Sequence, residues 1–415
     1  MSKSLEEHAE NWDLRHEDFN DNDFLYRVYE IMRTSAPFVR TDAPFLGAAP
    51  SVWVATRYQD CYEILRDWGH FSSNWQRFAD QPSVDENLME LGRDSVISLD
   101  PPHQQTIRKV LNPYFSPGRI KQLEPQIRAV TDELIDSFIE FGTGDLGIVS
   151  RRQPGTVFFK HILGMPVEEV PHYLDLVDAA INGEDLEART TAMFELSQKV
   201  RDAMAERRVQ PPRDDLIDAL FAAEIDGEQF PFEDAVANVM LFVQAGLDTT
   251  SNATSFAFHY FGLHPDERDR FIGRPELLPT AVEEFIRYGG SVHGIHRTVA
   301  EKVELSGHTF CPGETIVVNY AAANRDPAEF SHADRCVLDR QNNRHIGFGA
   351  GVHRCLGSNL ARLELQVALE QVLSRMPDYT ITDDTKSVFV GNSVVRGYRT
   401  IPVEFSPGRA GSKSR

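Results

Sequence analysis

The chain is poor in the residues and runs that mark several common protein classes. It has four cysteines in 415 residues, Cys61, Cys311, Cys336 and Cys355, and no two of them have the spacing of a zinc site or a redox pair. This scarcity argues against a disulfide framework and favours a reducing compartment, so we expect a cytoplasmic protein. No stretch of 18 apolar residues occurs, and the N-terminus lacks the apolar core of a signal peptide. We therefore predict no membrane segment.

Basic residues are also in deficit. The chain carries 63 acidic against 42 basic residues, which gives a formal charge of −21 at pH 7. Nucleic-acid binding requires a basic face, so the overall charge argues against it. An acidic total still permits a local basic patch for an acidic protein partner.

Linkers, low-complexity segments and internal repeats are not evident, although 415 residues is long for one ordinary core. We predict one domain over residues 1–415, with polar, loose ends at about 1–12 and 407–415. Helical patterns dominate, including 24–36, 117–140 and 190–208, and short strands concentrate after residue 304. The predicted fold class is mainly α with small β-sheets.

Residues 345–357, HIGFGAGVHRCLG, are the most specific stretch of the sequence. Cys355 follows a glycine-rich loop and precedes a helical pattern that runs from Gly357 to about Met376. Gly349 and Gly351 permit backbone angles and close approaches that other residues do not. The amide groups at the helix start could stabilise a thiolate. The simpler alternative is a buried structural cysteine after a turn.

A second unusual segment lies in the middle of a long apolar helical pattern, Phe232–Gly262. The run 244–251 reads QAGLDTTS, and glycine, aspartate and threonine are poor residues for a helix interior. The cluster predicts a local distortion or a functional groove. The alternative is that Asp248 or Thr249 caps a second helix.

These segments resemble a known family. The pattern Phe348-x-x-Gly351-x-x-x-Cys355-x-Gly357 resembles the haem-binding signature of the cytochrome P-450 family, in its soluble bacterial form. The run Ala245-Gly246-x-Asp248-Thr249 is similar to the oxygen-activation motif of that family. The match is almost continuous from about residue 230 to 375 and weaker back to about residue 50. It implies a triangular helical prism around a buried haem.

The resemblance implies a role for each matching residue around haem b. Cys355 would be the axial ligand of the iron, with Phe348 and Gly349 in the cofactor-binding loop. Thr249 would hydrogen-bond dioxygen at the haem, and Asp248 would relay protons from solvent. Gly246 would widen the groove above the iron.

The haem propionates would be bound by a further set of residues, which are Arg108, Arg297, His353 and Gln104. Gln104 stands where the family usually has histidine, so its bond to the cofactor would be weaker or absent. Glu284 and Arg287 match the structural Glu-x-x-Arg pair of the family, and Arg340 is our candidate third member.

The substrate pocket is assigned by family position alone. Its predicted members are Trp75, Phe78, Phe242, Val243, Gly246, His293, Gly294, Val390 and Val394. These residues are mostly apolar, which favours a small hydrophobic substrate of terpenoid or aromatic type. His293 could orient a polar oxygen of the substrate, or be an ordinary loop residue.

The function that the resemblance implies is a haem-thiolate monooxygenase. Such an enzyme inserts one atom of O2 into a C–H bond and reduces the other to water. We expect electrons from a ferredoxin, supplied by a ferredoxin reductase that uses NAD(P)H, with Arg108, Lys109 and Arg354 on the docking face. The alternatives are a peroxide-driven or oxidative-coupling haem enzyme, and a non-catalytic haem sensor or carrier.

Overall fold

The fold is described from a computed structural model, which covers residues 4–14, 16–42, 51–74, 95–182, 186–225, 227–391 and 394–411. Helices dominate these ranges. In chain order they are α1 (Leu5–Glu10), α2 (Asn22–Ser35), α3 (Tyr58–Arg66), α4 (His103–Leu111), α5 (Pro117–Lys121), α6 (Glu124–Asp136), α7 (Leu146–Phe158), α8 (Val170–Asn182), α9 (Leu186–Arg208), α10 (Leu216–Ala222), α11 (Phe232–Leu263), α12 (Pro265–Ile272), α13 (Leu278–Gly289), α14 (Tyr320–Ala323) and α15 (Ser358–Arg375).

The strands are short and form small sheets. They are β1 (Phe38–Thr41), β2 (Val52–Ala55), β3 (Phe71–Ser72), β4 (Thr143–Asp145), β5 (Glu224–Ile225), β6 (Glu228–Gln229), β7 (Gly294–Val299), β8 (Val303–Leu305), β9 (His308–Phe310), β10 (Thr315–Asn319), β11 (Val388–Gly391), β12 (Arg396–Thr400) and β13 (Pro402–Glu404). Five of them form a mixed sheet in the order β1-β2-β10-β7-β3, in which only β2 and β10 pair in parallel. The remaining strands pair two by two.

Helix α11 is the central element because it is apolar on most sides. Val236, Val239 and Val243 in its first half belong to one hydrophobic cluster with α7, α8 and α9. Phe258 and Phe261 in its second half belong to another cluster with α13 and α15. A helix that is apolar on most of its circumference is expected in such an interior position. It carries its polar run, 244–251, into the middle of the protein.

The predicted elements are largely present, and the mainly α fold class with small sheets is confirmed. Helix α11 ends one residue beyond the predicted range, and α4 ends at Leu111, before Pro113, as expected. The helical pattern predicted over 117–140 is present but divided into α5, α6 and a short 3-10 turn at Ile139–Phe141.

The N-terminal stretch differs from the loose end that its polar composition suggests. Residues 5–10 form α1, in which Ser4 and Glu7 build a capping box, and His8 and Ala9 are buried. Within the described ranges, no helix is both long enough and apolar enough to cross a membrane.

Candidate functional site

A cavity of about 1220 Å³ lies between α11 and the loop that precedes α15. Strand β7, the first turns of α15 and the β11–β12 hairpin form other parts of its walls. Its lining is mainly apolar, and both segments that the sequence singles out contribute polar residues to it. Cys355, His353 and Phe348 line it from the loop, and Asp248 and Thr249 line it from α11.

The loop owes its shape to glycine and to backbone hydrogen bonds. Gly349 and Gly351 both have φ of +67°, and a Cβ on Gly351 would lie 2.4 Å from the Leu65 carbonyl oxygen. The Cys355 N–H donates to the Phe348 carbonyl oxygen at 2.8 Å. This bond closes the loop on itself and fixes the cysteine at the cavity wall.

Burial and the surrounding charges have opposite effects on the pKa of the Cys355 thiol. Burial raises the pKa of the thiol, whereas the Gly357 N–H and the guanidinium groups of Arg108, Arg354 and Arg362 lower it. The residue is accessible only because it faces the cavity. A bound metal ion would remove the thiol proton outright, so the site is suited to an anionic sulfur ligand.

Three of the four predicted propionate ligands line the cavity beside the cysteine, namely Arg108, Arg297 and His353. The Arg297 guanidinium is 3% exposed and donates one bond, to the His296 carbonyl oxygen at 2.8 Å. Arg108 donates to the Arg354 carbonyl oxygen at 2.9 Å. Burial, together with the charges of Arg297 and Arg108, lowers the pKa of His353 to about 3, and its buried Nε2 has no partner among the described residues.

Gln104 is placed differently. It is fully buried, it is not on the cavity wall, and its amide donates to the Val352 carbonyl oxygen at 2.7 Å. The amide therefore supports the cysteine loop directly. The preceding residue, His103, is exposed, as a rotation of about 100° along the helix requires.

The predicted Glu284–Arg287 pair is fully buried and forms a network. Arg287 donates to both carboxylate oxygens of Glu284, at 2.8 and 2.7 Å, and Arg340 adds a bond of 2.9 Å. Arg287 also donates to the Asn324 carbonyl oxygen, and the Asn324 side chain accepts the Ile346 N–H. The network thus fastens α13 to the start of the cysteine loop, and it includes Arg340 as predicted.

A neighbouring ion cluster was missed by the sequence reasoning. Glu283 accepts bonds from Arg362 of α15 and from His345 of the loop. The Arg362 guanidinium lies 4.5 Å from the centroid of the Phe348 ring. Burial alone would raise the pKa of Glu283, but the bonds from Arg362 and His345 lower it to about 2. No sequence signal marks this contact, because Glu283 and Arg362 are 79 residues apart.

On the opposite wall, α11 continues through its polar run. The hypothesis that Asp248 or Thr249 caps a second helix is wrong. Instead, the Thr249 hydroxyl donates to the Ala245 carbonyl oxygen at 2.8 Å, one turn earlier. Its proton is thereby engaged, so the oxygen presents lone pairs to the cavity and can accept a hydrogen bond.

Asp248 belongs to a chain of charges that leads to the surface. Its Oδ1 accepts a bond of 3.1 Å from Arg399, and Arg399 also forms an ion pair with Asp178. The Asp178 side chain is 39% exposed, whereas that of Asp248 is 3% exposed. The second oxygen of Asp248, Oδ2, has no partner among the described residues. Arg399 was also missed, since it lies 151 residues from Asp248.

Glu364 of α15 is a further buried carboxyl group on the cavity wall that the sequence reasoning missed. Burial raises its pKa well above the usual range, and its Oε1 has no partner in the described part of the chain. The residue follows Cys355 by nine positions, and only its side-chain direction makes it part of the cavity.

The predicted substrate residues are divided by the structure. Phe242, Gly246, Gly294 and Val394 line the cavity. Val243 does not, because one further residue turns its side chain into the core. His293 does not line it either, since it is buried against Tyr29, whose hydroxyl lies 2.9 Å from its Nδ1. Trp75, Phe78 and the side chain of Val390 lie outside the described residues.

Gly246 has a second reason to be glycine. A Cβ at this position would lie 3.3 Å from Cδ1 of Phe158, which also lines the cavity. The glycine therefore lets α7 and α11 approach closely, in addition to leaving space on the wall.

The residues present fit haem b. The cavity offers one sulfur on a tight loop, the buried guanidinium group of Arg297, the half-buried one of Arg108, and a buried imidazole nitrogen that lacks a partner among the described residues. A thiolate suits the iron, and the guanidinium and imidazole groups suit carboxylate side chains of the porphyrin.

Comparisons with known proteins agree with this fit. The family model described as Cytochrome P450 matches residues 181–386. Mycinamicin IV hydroxylase/epoxidase of Micromonospora griseorubida is 30% identical over 382 residues, which cover 90% of this chain and 94% of the relative. Vitamin D(3) 25-hydroxylase of Pseudonocardia autotrophica is 31% identical, with 86% and 89% covered.

The fold is shared with solved structures as well. The polyketide synthase cytochrome P450 PksS of Bacillus subtilis 168 superposes with a TM-score of 0.84 at 28% identity, with 94% of this chain and 98% of that one covered. Sequence, fold and cavity agree, and the chain belongs to the cytochrome P450 family as a haem-dependent monooxygenase.

Proposed function

We propose that this monooxygenase hydroxylates a hydrophobic substrate, using electrons from a ferredoxin and its NAD(P)H-dependent reductase. The observation that supports the proposal most is that Cys355 and the Asp248–Thr249 pair line one cavity from opposite elements. Haem bound at Cys355 would supply the oxygen-activating redox chemistry. We also propose that the protein acts in the cytoplasm, in line with its few, unpaired cysteines.

The residues of α11 would manage protons at the reaction site. Thr249 Oγ1 would accept a hydrogen bond within the cavity, because its own proton is held by the Ala245 carbonyl oxygen. Asp248 would supply protons through Oδ2, while Arg399 holds Oδ1 and connects the carboxylate to Asp178 near the surface. A fixed carboxylate beside a hydroxyl is a suitable arrangement for proton transfer.

The substrate would be an apolar molecule. It would belong to the terpenoid or aromatic-like class that the sequence predicts, or be a larger apolar molecule. The cavity exceeds the roughly 300–1,000 Å³ of typical ligand pockets, as expected of a space that holds a cofactor and a substrate together. Relatives named for acting on mycinamicin IV and vitamin D(3) suggest that a bulky molecule is accommodated. Phe242, Leu241 and Val394 would contact its apolar surface.

The test compares Thr249→Val with Ser251→Ala in the reconstituted system. Both changes remove a hydroxyl that donates to a carbonyl oxygen one turn earlier on α11, but only Thr249 lines the cavity. We expect Thr249→Val to keep consuming NAD(P)H and O2 while product per O2 falls several-fold, and Ser251→Ala to remain coupled. Unchanged coupling in Thr249→Val would contradict the proton role.

Substrate class is tested by titrating the ferric protein with lipophiles and following the Soret band. Displacement of the water ligand of the iron by terpenoid, aromatic or larger apolar compounds is the expected result. The same compounds must then be oxidised with ferredoxin present. Saturable binding without any product would favour the non-catalytic alternative.

A further inference from the structure

An imidazole and carboxylate cluster lies near the N-terminus, and it includes none of the residues assigned above to haem binding or proton transfer. His8 of α1, His16 and Asp18 each offer one ligand atom, and these three atoms all lie within 4.8 Å of one another. His8 Nε2 is 2.9 Å from Asp18 Oδ2, and His16 Nδ1 is 3.6 Å from the same oxygen. Within the residues that the structure describes, this is the one such cluster of three.

From this geometry we propose that His8, His16 and Asp18 bind a divalent transition cation of the Zn²⁺ class. Two imidazoles and a carboxylate form a common three-residue ligand set for zinc, with water completing the shell. Ligands at about 2.0–2.1 Å in a tetrahedral shell lie about 3.4 Å apart, so small side-chain movements would suffice. His16 and Asp18 are 32% and 24% exposed, which leaves a side open to water.

The ligands are held in place before any ion arrives. The His8 ring is 1% exposed and packs against Phe19 and Phe24, with ring centroids 4.9 and 5.3 Å away. His16 Nδ1 accepts the Asp18 N–H at 3.3 Å, so this nitrogen is unprotonated, and a bound cation would replace that N–H at its lone pair. Preorganised ligands lower the entropic cost of binding.

Ordinary histidine–aspartate pairing does not account for the third member. Elsewhere the chain pairs His70 with Asp67 at 2.7 Å and His259 with Asp384 at 2.7 Å, and neither pair belongs to a described cluster of three. In the part of the chain that the structure describes, a second imidazole approaches only at His8, with ring centroids 4.6 Å apart. The bond to the Asp18 N–H already places the His16 ring, and a cation would use the resulting convergence of two basic rings and one carboxylate.

The position of the cluster gives the ion a structural task. His16 also lines the edge of the haem cavity. Arg396 of β12 donates to the carbonyl oxygens of Leu14 and Phe19, so this segment is already attached to the cavity wall. An ion at the cluster would fasten α1 to that segment and stabilise the folded chain by mass action.

The test uses the haem-loaded, tag-free protein after chelator treatment. Equilibrium dialysis against Zn²⁺ with metal analysis should give one tightly bound zinc per chain, counted separately from the haem iron. His16→Ala and Asp18→Asn should each weaken zinc binding at least about 100-fold, since even outer-shell changes often cost 10–100-fold. His70→Ala is the matched control and should bind zinc as the unchanged protein does.

Loss of binding through misfolding is separated by the Soret spectrum, which should be the same in all variants. X-ray absorption at the zinc edge should show nitrogen and oxygen ligands at about 2.0–2.1 Å, including two imidazoles. Absence of a stoichiometric zinc in the unchanged protein would overturn the proposal. Equal zinc affinity in His16→Ala and Asp18→Asn would overturn it as well.

Discussion

At the scale of single residues, the mainly apolar cavity contains charged side chains. Burying such a group is costly unless hydrogen bonds or ion pairs hold it in place. Asp248 is held on one oxygen by Arg399 and leaves the other without a described partner. Glu283, nearby in the support of the loop, is bonded on both oxygens. We therefore expect substitution of Asp248 to affect the reaction rate and substitution of Glu283 to affect stability.

Asp248→Asn should impair the reaction without preventing substrate binding. The amide cannot deliver a proton as a carboxylic acid does, and positioned acid–base groups contribute about 10²–10⁴-fold to rates. We expect product formation to fall at least about 10²-fold at saturating substrate, while the substrate dissociation constant from the Soret titration stays within a few-fold. Asp384→Asn, which alters a carboxylate paired with the far end of α11, is the control. An Asp248→Asn rate within a factor of two of the unchanged enzyme would exclude the proton role.

Glu283 should make the stability of the protein depend on pH in acid. Its pKa lies at about 2 in the folded protein against an ordinary 4.5. A depressed carboxyl pKa contributes stability above about pH 4.5, and the contribution is lost as the pH falls towards 2. At 1.36 kcal/mol per unit, the full contribution is about 3 kcal/mol.

Glu283→Gln should therefore destabilise the protein near pH 7, and the difference from the unchanged protein should shrink below pH 4.5. The measurement is the free energy of urea unfolding of both proteins between pH 7 and 3. Glu276→Gln, at an exposed pair with Arg274, should change the free energy of unfolding little at any pH. A difference that does not change with pH would refute the assignment.

At the scale of elements, the site depends on how closely α11 approaches α7. Gly246→Ala would place a Cβ 3.3 Å from the Phe158 ring and push that ring towards the substrate. Alanine also favours the helix by up to about 1 kcal/mol, so the free energy of unfolding should change little. We expect ligand affinity in the Soret titration to fall several-fold. The control is Gly262→Ala, whose Cβ would lie 2.8 Å from Ile381. Because Gly262 does not line the cavity, this change should alter stability and leave ligand affinity unchanged.

The sequence predicts elements and loops better than it predicts side-chain directions. The cysteine loop, α11 and the Glu284–Arg287 pair follow from local patterns and motif spacing. Val243 and His293 were assigned to the pocket by family position, and a turn of one residue places Val243 in the core, while a bond to Tyr29 holds His293 away from it. Arg399 and Glu283 act through partners that are distant in the chain, and no local pattern indicates such contacts.

At the scale of the whole molecule, the charge distribution bears on the proposed electron donor. The chain carries a formal charge of −21, yet Arg354 of the cysteine loop is exposed, and half-buried Arg108 donates to its carbonyl oxygen. Lys109, the next residue of α4, is exposed as well. An acidic ferredoxin would be repelled by most of the surface and attracted to this patch.

We retain one domain over residues 1–415 as our proposal.

Lys109→Glu should slow the reduction of the protein by ferredoxin without changing haem binding. We expect the apparent Michaelis constant for ferredoxin to rise about tenfold at low salt, and the effect to diminish at high ionic strength because exposed charges are screened. Lys386→Glu, at an exposed position on the turn before β11, should have little effect. Equal effects of the two substitutions would place the docking surface elsewhere.

The central claim is that the Cys355 sulfur binds the haem iron, and the carbon monoxide spectrum of the reduced protein tests it most directly. The unchanged protein should absorb where thiolate-ligated haem absorbs, and Cys355→His should retain haem and move the band to the position of histidine-ligated haem. A band at the histidine position in the properly folded, unchanged protein would contradict the account.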